Sequence, residues 1–292
     1  MTILGTLLNG IAQGSLYALI AVGFSLVLSA SGVVDFARGQ MVVLGTLALF
    51  SLKELHGITP ILVLAACMAL PAAVAALEER VAVLPLRGEA RTAGGWLVTT
   101  LGFGIVVQAI AAKAFGASSR GVNPPVSLPD FSVGDIPIGG YKILVIAVAV
   151  LLTAVTWLVL TRTGAGRMLR AVAEDPEVAA IRGINTRLVA VGTFAVAGAL
   201  AGLGGFVIAP LTSAFASQAP LFTIKGFIAM VAGGTGSIWG ALLGGWLVGI
   251  AEQVGAHYID AASVDLFGLA VLLAVLLLRP QGLFASRRLR SA

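Results

Sequence analysis

One cysteine, Cys67, stands in 292 residues, so the chain can build neither an intrachain disulfide framework nor a cysteine metal cluster. Set among apolar neighbours, it reads as a small buried side chain. Charge is also scarce: 11% of residues are Asp, Glu, Lys or Arg, against about 25% in a soluble domain. That is too little charged surface to cover a water-facing body of this length, and aqueous domains of any size are excluded. No basic stretch opens the sequence, whose first charge is Asp35, and no Ala-x-Ala cleavage site follows a short apolar core. Residues 4–29 therefore read as a retained transmembrane helix rather than a signal peptide. The Gly-x-x-x-x-Gly-Lys-Ser/Thr phosphate loop does not occur, so any ATP hydrolysis must come from another chain. No nucleophile, acid and base cluster together, and His56 and His257 pair neither with the cysteine nor with each other at metal-ligand spacing. An enzyme, a cofactor and a metal site all lack support. The net charge of +5 lies mostly between apolar segments, which argues against a basic face for nucleic acid.

What the chain does have is hydrophobicity: 59% of residues are hydrophobic and the mean hydropathy is +1.04. One uncharged run extends over 37 residues, from Leu188 to Ile224. Spans of about 20 apolar residues cross a bilayer core of roughly 30 Å as helices, because every backbone polar group must then be satisfied within the segment. The pattern predicts an all-α integral membrane protein, a polytopic bundle of about 8–10 transmembrane segments, with residues 1–292 as one transmembrane domain. Helices are predicted at 4–29, 36–52, 60–77, 95–115, 143–161, 188–209, 222–233, 238–256 and 266–279. Two of these, 222–233 and 266–279, are short, and the first ends in the helix-breaking run Gly233-Gly234-Thr235-Gly236-Ser237, where a broken or re-entrant pair competes with two full crossings. Small-xxx-small spacings at Gly10 and Gly14, Gly198 and Gly202, Gly240 and Gly244, and Gly245 and Gly249 predict close helix packing.

Of the 18 basic residues, 12 fall in 78–91, 162–187 and the tail from Arg279. The positive-inside rule puts these three stretches in the cytoplasm. The loops at 116–142 and 257–265, the latter with Asp260 and Asp265, then face outward, as does the N-terminus, while the C-terminus is cytoplasmic.

The longest cytoplasmic loop, 162–187, carries the strongest local signals. Met168, Leu169, Val172 and Ala173 fall on helical spacing, and Glu174-Asp175-Pro176 opens a second short helix, since Pro suits a first turn and acids suit the positive end of the helix dipole. That helix should run to Arg182 and stop at Gly183. With alanines on one side and charges on the other, it is either shaped to dock into a partner's groove or is a solvated loop helix.

Asp35 and Arg38 are the only charges in the first 52 residues. A charge at depth in a bilayer is costly and is a functional candidate; equally, Asp35 can cap helix 36–52 with Arg38 balancing it one turn away. Lys225 also precedes a glycine in an apolar stretch. Lys225-Gly226 set beside Arg38-Gly39 suggests a weak internal repeat consistent with two inverted halves, with a Lys snorkelling to the headgroups as the plainer reading. Glu252, near the end of helix 238–256, reads as the only other carboxylate near the membrane, exposed at the interface.

Several stretches together resemble the LivH-like permease of ATP-binding-cassette importers for branched-chain amino acids. Arg170-Ala171-Val172-Ala173-Glu174-Asp175-Pro176, then Ala179-Ala180 and Gly183-Ile184-Asn185, looks like that family's cytoplasmic coupling loop, and Gly198-Ala199-Leu200-Ala201-Gly202 continues the match. Asn9-Gly10 through Gly14 to Gly23 is similar to its first helix, Val34-Asp35-Phe36-Ala37-Arg38-Gly39 to its Asn-Phe-Ala-His-Gly signature, and Gly233 to Gly244 to its glycine-rich late segment. The resemblance runs along essentially the whole chain and departs at Asp35 and Arg38, where the family usually carries Asn and His.

It implies a permease subunit, not an enzyme, in a cytoplasmic (inner) membrane, moving branched-chain or other small hydrophobic amino acids by alternating access. Partners implied are two ATPase subunits, a second permease that is identical or related, and a periplasmic or lipid-anchored substrate-binding protein, all around a lipid bilayer and without nucleic acid. The coupling residues would be Arg170, Ala173, Glu174, Asp175, Pro176, Ala179, Gly183 and Ile184. The pathway or gate would draw on Asp35, Phe36, Arg38, Gly39, Lys225, Gly233, Gly234, Thr235, Gly236 and Ser237. The alternatives are a stand-alone secondary transporter or channel for a small neutral solute, and an ATP-driven permease for urea or short amides. Ion-coupled carriers generally hold acids deep in their helices, and their scarcity here favours a pump powered from outside.

Overall fold

The structure is a computed structural model, and it describes residues 3–86, 95–116, 118–126, 128–133, 136–259 and 264–284. It is helical almost throughout. The helices are α1 (Ile3–Ser31), α2 (Arg38–Leu49), α3 (Pro60–Glu78), α4 (Gly95–Phe115), α5 (Gly140–Arg162), α6 (Gly164–Glu174), α7 (Pro176–Ile181), α8 (Thr186–Thr212), α9 (Ala219–Gly233), α10 (Ile238–Tyr258) and α11 (Val264–Leu278). A three-residue antiparallel hairpin, β1 (Phe131–Val133) with β2 (Ile136–Ile138), pairs Phe131 with Ile138.

All nine segments predicted to be helical are helices, with ends shifted by a few residues. Six are long and apolar enough to cross a membrane: α1, α3 with its extension to Leu86, α4, α5, α8 and α10. The other three are shorter. At 1.5 Å per residue the 15 residues of α9 span about 22 Å, less than a hydrocarbon core of about 30 Å. A π-helical segment, Phe50–Leu55, lengthens α2.

Two compact units divide the chain, and they interleave along it. Unit 1 comprises Met1–Ser25, Leu128–Trp157 and Lys225–Ala292, and unit 2 comprises Leu26–Ser127 and Leu158–Ile224. In unit 2, every residue of α2 except Leu44 is buried, as befits a helix that beyond Arg38 and Gln40 is apolar on nearly every side. It lies against α8 at points where no side chain would fit. A Cβ on Gly45 would strike the carbonyl of Gly202, and one on Gly205 would strike that of Val42. Gly198 and Gly202 do the same service for α3, whose Pro71 and Cys67 carbonyls they meet. Cys67 is buried as expected, its thiol 3.4 Å from the Gly45 carbonyl.

Unit 1 uses the same device between α1 and α10. Gly10 and Gly14 face Gly245, Gly249 and Ile250, backbone against backbone, so two of the predicted small-residue pairs are partners of each other. Beside them Ala18, Leu19, Ala149 and Leu242 form a core, and Trp246 donates its indole N–H to Ser15 at 3.0 Å. Gly233 and Gly240 pack together where α9 turns into α10.

Segments between helices are tied locally. In unit 2, Lys53 donates to the carbonyls of Asn123 and Pro124, each at 2.8 Å, and Arg120 and Ala214 exchange backbone hydrogen bonds. In unit 1, Leu283 and Phe284 donate their amides to Ala232 and Gly233 at 3.0 Å.

Candidate functional site

The coupling loop folds as its residues require. Thr163 caps α6, its hydroxyl accepting from the Gly166 amide at 3.3 Å. Gly166 lies so close to the Leu160 backbone that a Cβ would collide with it, and Arg170 donates from Nη1 to the Leu160 carbonyl. The chain therefore reverses tightly out of α5. Leu169 and Val172 are buried, whereas Met168 is exposed, so only part of the predicted apolar face turns inward.

Asp175 breaks the helix and caps the next one, its carboxylate accepting from Glu177 and Val178 at 2.9 and 3.0 Å, with Pro176 in the first turn. α7 ends at Ile181. Gly183, at φ +82°, supplies the left-handed residue that lets Ile184 and Gly183 donate back to Ala179 and Ala180 at 3.0 and 2.9 Å, a Schellman closure. Asn185 then caps α8. Of the predicted coupling residues, Ala179 is buried, while Glu174 at the end of α6, Asp175, Pro176 at the start of α7 and Gly183 just beyond it are exposed. The exposed apolar residues sequence reasoning passed over are Val178 and Ile181, 43% and 85% exposed; their spacing of three was the available signal.

The first charged pair is buried completely. Asp35 lies in the turn between α1 and α2 and accepts from the Ala37 amide at 2.9 Å, and its second oxygen pairs with Arg38 Nη2. The N-cap of α2 is Ala37, with no side-chain cap, so the capping reading of Asp35 does not hold, although the balancing of Asp35 by Arg38 does. The guanidinium carbon stands 5.7 Å from the centre of the Phe194 ring on α8. Nε and Nη1 of Arg38 find no acceptor among the described residues.

Phe36 donates its amide to Thr100 at 3.3 Å and stacks on Trp96 of α4. Gly39 donates to Thr223 at 2.9 Å and abuts the Ala219 carbonyl. The motif from Asp35 to Gly39 is thus held by α4, α8 and the start of α9.

Two carboxylates were missed. Glu78 and Glu79, expected in a cytoplasmic loop, are buried in or just beyond α3, and the charges of Asp35 and Arg38 both act on Glu78. The signal was periodicity, for the buried positions of α3 are Val63, Cys67, Pro71, Ala75 and Glu78, so Glu78 continues the inward stripe. Of the basic residues assigned to that loop, Arg80 sits in the helical extension of α3, while Arg87 and Arg91 lie outside the described residues, as do Asp260, Arg287, Arg288 and Arg290.

Lys225 belongs to a different cluster, within unit 1. Its ammonium is 2.9 Å from both Glu252 of α10 and Asp265 of α11 and 5.4 Å from the centre of the Tyr17 ring of α1. Tyr17 donates to Glu252 at 2.9 Å and accepts from Gln13 at 3.2 Å. Lys225 and Glu252 are buried, so neither the snorkelling Lys nor the interfacial Glu expected from sequence is found. Asp265 opens α11 rather than ending a loop. One ammonium thereby ties four helices, with Gly268 of α11 opposite the second Glu252 oxygen.

The glycine-rich segment is a turn. Gly234 and Gly236 have φ of +106° and +82°, and Ser237 caps α10 by accepting from Gly240 at 3.0 Å. Thr235 and Gly236 are exposed and Gly233 and Gly234 buried, the latter pair beneath residues 282–284. Among the described residues no group of three His, Cys, Asp or Glu side chains could hold a metal ion.

These features sit in a chain whose residues 6–278 match a family described as the permease component of the branched-chain amino acid transport system. The chain is 32% identical to BraD, a high-affinity branched-chain amino acid transport system permease protein of Pseudomonas aeruginosa, over 95% of this chain and 94% of that one. To the LivH permease protein of the corresponding Escherichia coli system it is 30% identical, over 94% and 93% of the two chains. The ribose import permease protein RbsC of Escherichia coli is 26% identical, over 94% and 85%. Relatives of this kind are transport permeases and not enzymes. With a family match across nearly its whole length and a bundle of apolar helices to carry it, the chain belongs to the multi-pass membrane permeases of the branched-chain amino acid transport system.

Proposed function

We propose that this chain is one permease subunit of an ATP-driven importer in the cytoplasmic membrane, and that it moves branched-chain amino acids inward by alternating access. ATP is hydrolysed by two separate ATPase subunits, a second permease forms the other wall, and a substrate-binding protein delivers the solute from outside. All of residues 1–292 serve as one permease domain, with the N-terminus outside and the C-terminus in the cytoplasm.

The observation that carries this reading is the loop between α5 and α8. A solvated linker has no need of three side-chain helix caps and a Schellman closure, which hold the exposed Val178 and Ile181 among Glu174, Asp175 and Glu177. A rigid, partly apolar surface is what a partner's cleft can grip and move. Arg170, Ala173, Glu174, Asp175, Pro176, Ala179, Gly183 and Ile184 shape that surface. The buried Asp35–Arg38 pair serves as a gate element in unit 2. Two guanidinium nitrogens, Nε and Nη1, without acceptors among the described residues are costly in a dry setting, which favours a state that opens or takes up an acceptor. Phe36 and Gly39 hold that gate in place. Lys225 plays the gating part in unit 1, and the turn from Gly233 through Gly234, Thr235 and Gly236 to Ser237 works as its joint.

The test is ATP-dependent uptake of radiolabelled leucine into proteoliposomes that hold this permease with its ATPases, second permease and binding protein. Glu174→Arg together with Gly183→Arg should abolish uptake and leave membrane insertion intact. Uptake at the wild-type rate would sink the coupling role. Competition by unlabelled leucine, isoleucine and valine, but not by urea or ribose, is the outcome expected for the substrate; uptake without ATP would point to a carrier or channel.

A further inference from the structure

A cavity of about 420 Å³ lies within unit 2, between the end of α5, α6 and the first turns of α8. Leu160, Leu169, Ile184, Leu188, Gly192 and Val196 are among its lining residues. It has the volume of a small-molecule pocket, yet its walls are almost wholly aliphatic. Val159, Leu188 and Val196 are exposed on two helices long enough to cross a membrane, so hydrocarbon chains are what this opening meets.

Charge is distributed unevenly around it. Arg162, Arg167 and Arg170 are exposed at the α5–α6 turn. Arg170 bonds to the carbonyl of the lining residue Leu160, and the Arg167 guanidinium stands within 4 Å of where a Gly164 side chain would be. Arg187 adjoins Leu188 on the opposite wall. The acids of the same loop, Glu174, Asp175 and Glu177, sit on or beside α7, and neither they nor any residue of α7 lines the cavity. The loop thus keeps its acids on or beside α7, with Arg182 at the end of that helix, and sets three of its arginines at the α5–α6 turn beside an apolar groove.

We propose that this groove binds an anionic phospholipid of the inner leaflet, an acyl chain filling the cavity and the phosphate held by Arg162, Arg167 and Arg170. Arginine forks match phosphate oxygens, and basic pockets between helices on the cytoplasmic side suit such headgroups. A bound lipid would brace α6 against α5 and α8, stiffening the base from which α7 projects. Gly192 offers a direct probe, because a Cβ there would meet nothing within 4 Å and a larger side chain would enter the groove.

The experiment is native mass spectrometry of the purified full-length chain, titrated with dioleoyl phosphatidylglycerol and, separately, dioleoyl phosphatidylcholine. Wild type should retain phosphatidylglycerol in preference to phosphatidylcholine. Arg162→Gln with Arg167→Gln should lose roughly thirtyfold in phosphatidylglycerol affinity, about fivefold per arginine, and leave phosphatidylcholine unchanged. Gly192→Phe should weaken both lipids while the protein elutes as a single species with a wild-type melting temperature. Equal retention of the two lipids by wild type would overturn the proposal, as would wild-type binding by Gly192→Phe. So would efficient cross-linking of Gly192→Cys to a neighbouring subunit in native membranes, since the groove would then hold protein.

Discussion

Arg38 and Lys225 are buried cations in a chain that can solvate neither, and each is matched in its own unit by a carboxylate, an aromatic ring and a following glycine pressed against a neighbouring helix. Removing one member of such a pair costs about 3–5 kcal/mol, because the remaining charge stays in a low-dielectric setting without its partner. Arg38→Ala should therefore lower the melting temperature in detergent sharply, and transport with it. The double change Asp35→Asn with Arg38→Gln keeps polar groups of similar size and removes both charges, so it should recover most of the stability. If the pair acts as a gate, this double variant stays inactive in the uptake assay; recovery of transport along with stability would make the pair purely structural. For Lys225 the order of effects is the prediction. Tyr17→Phe removes one hydrogen bond to the Glu252 carboxylate and should cost about 1.5–3 kcal/mol, whereas Lys225→Met strands Glu252 and should cost about 3–5 kcal/mol. Equal losses in the two melting curves would contradict the hub role assigned to the ammonium.

At the scale of helices, stability rests on backbones that touch. Gly202 of α8 meets the Cys67 carbonyl and Pro71 of α3, while its own carbonyl faces Gly45 of α2. Gly202→Val would drive these helices apart, and it should cost at least about 1–3 kcal/mol, the usual range for overpacking. Gly192, ten residues earlier on α8, meets nothing, so Gly192→Ala should gain the helix propensity of alanine, up to about 1 kcal/mol. Thermal unfolding of the two variants in one detergent checks both signs. The helices themselves were legible in the sequence because a bilayer leaves the backbone no other way to satisfy its polar groups, and so hydropathy, Asp175-Pro176 and Gly183 located α5 to α8 within a few residues. Burial of charge was not legible in the same way. Glu78 looked like the first residue of a basic loop because hydropathy falls there, although helical spacing carried on. Lys225 and Glu252 each looked interfacial because a partner 27 residues away leaves no local trace. The shortness of α9 was legible from the glycine run that ends it, whereas the end of α2 at Leu49 escaped, since apolar composition shows where a span is and says little about where the helix within it stops.

For the molecule as a whole, loop-to-loop contacts constrain which segments share a side of the membrane. Lys53 reaches Asn123 and Pro124, and Arg120 pairs with Ala214, so the segments after α2, after α4 and after α8 share one side. Residues 283–284 bond to 232–233, so the segment after α11 shares a side with the turn after α9. On the proposed orientation, with the arginine-rich 162–187 loop cytoplasmic, counting crossings assigns the first group to the outside and the second to the inside, and each set of contacts stays on one side. The near absence of cysteine makes this testable without altering the background, for Cys67 is fully buried and should not react with a membrane-impermeant maleimide. Asn123, Glu177 and Thr235 are all exposed and accept a cysteine without entering the packed interior. Asn123→Cys should label in intact cells, whereas Glu177→Cys and Thr235→Cys should label only after the membrane is permeabilised. The opposite pattern would invert the orientation and move α7 away from any cytoplasmic ATPase. Labelling of Asn123→Cys and Thr235→Cys from the same side would instead mean that α9 turns back within the membrane, as its 15 residues would then require.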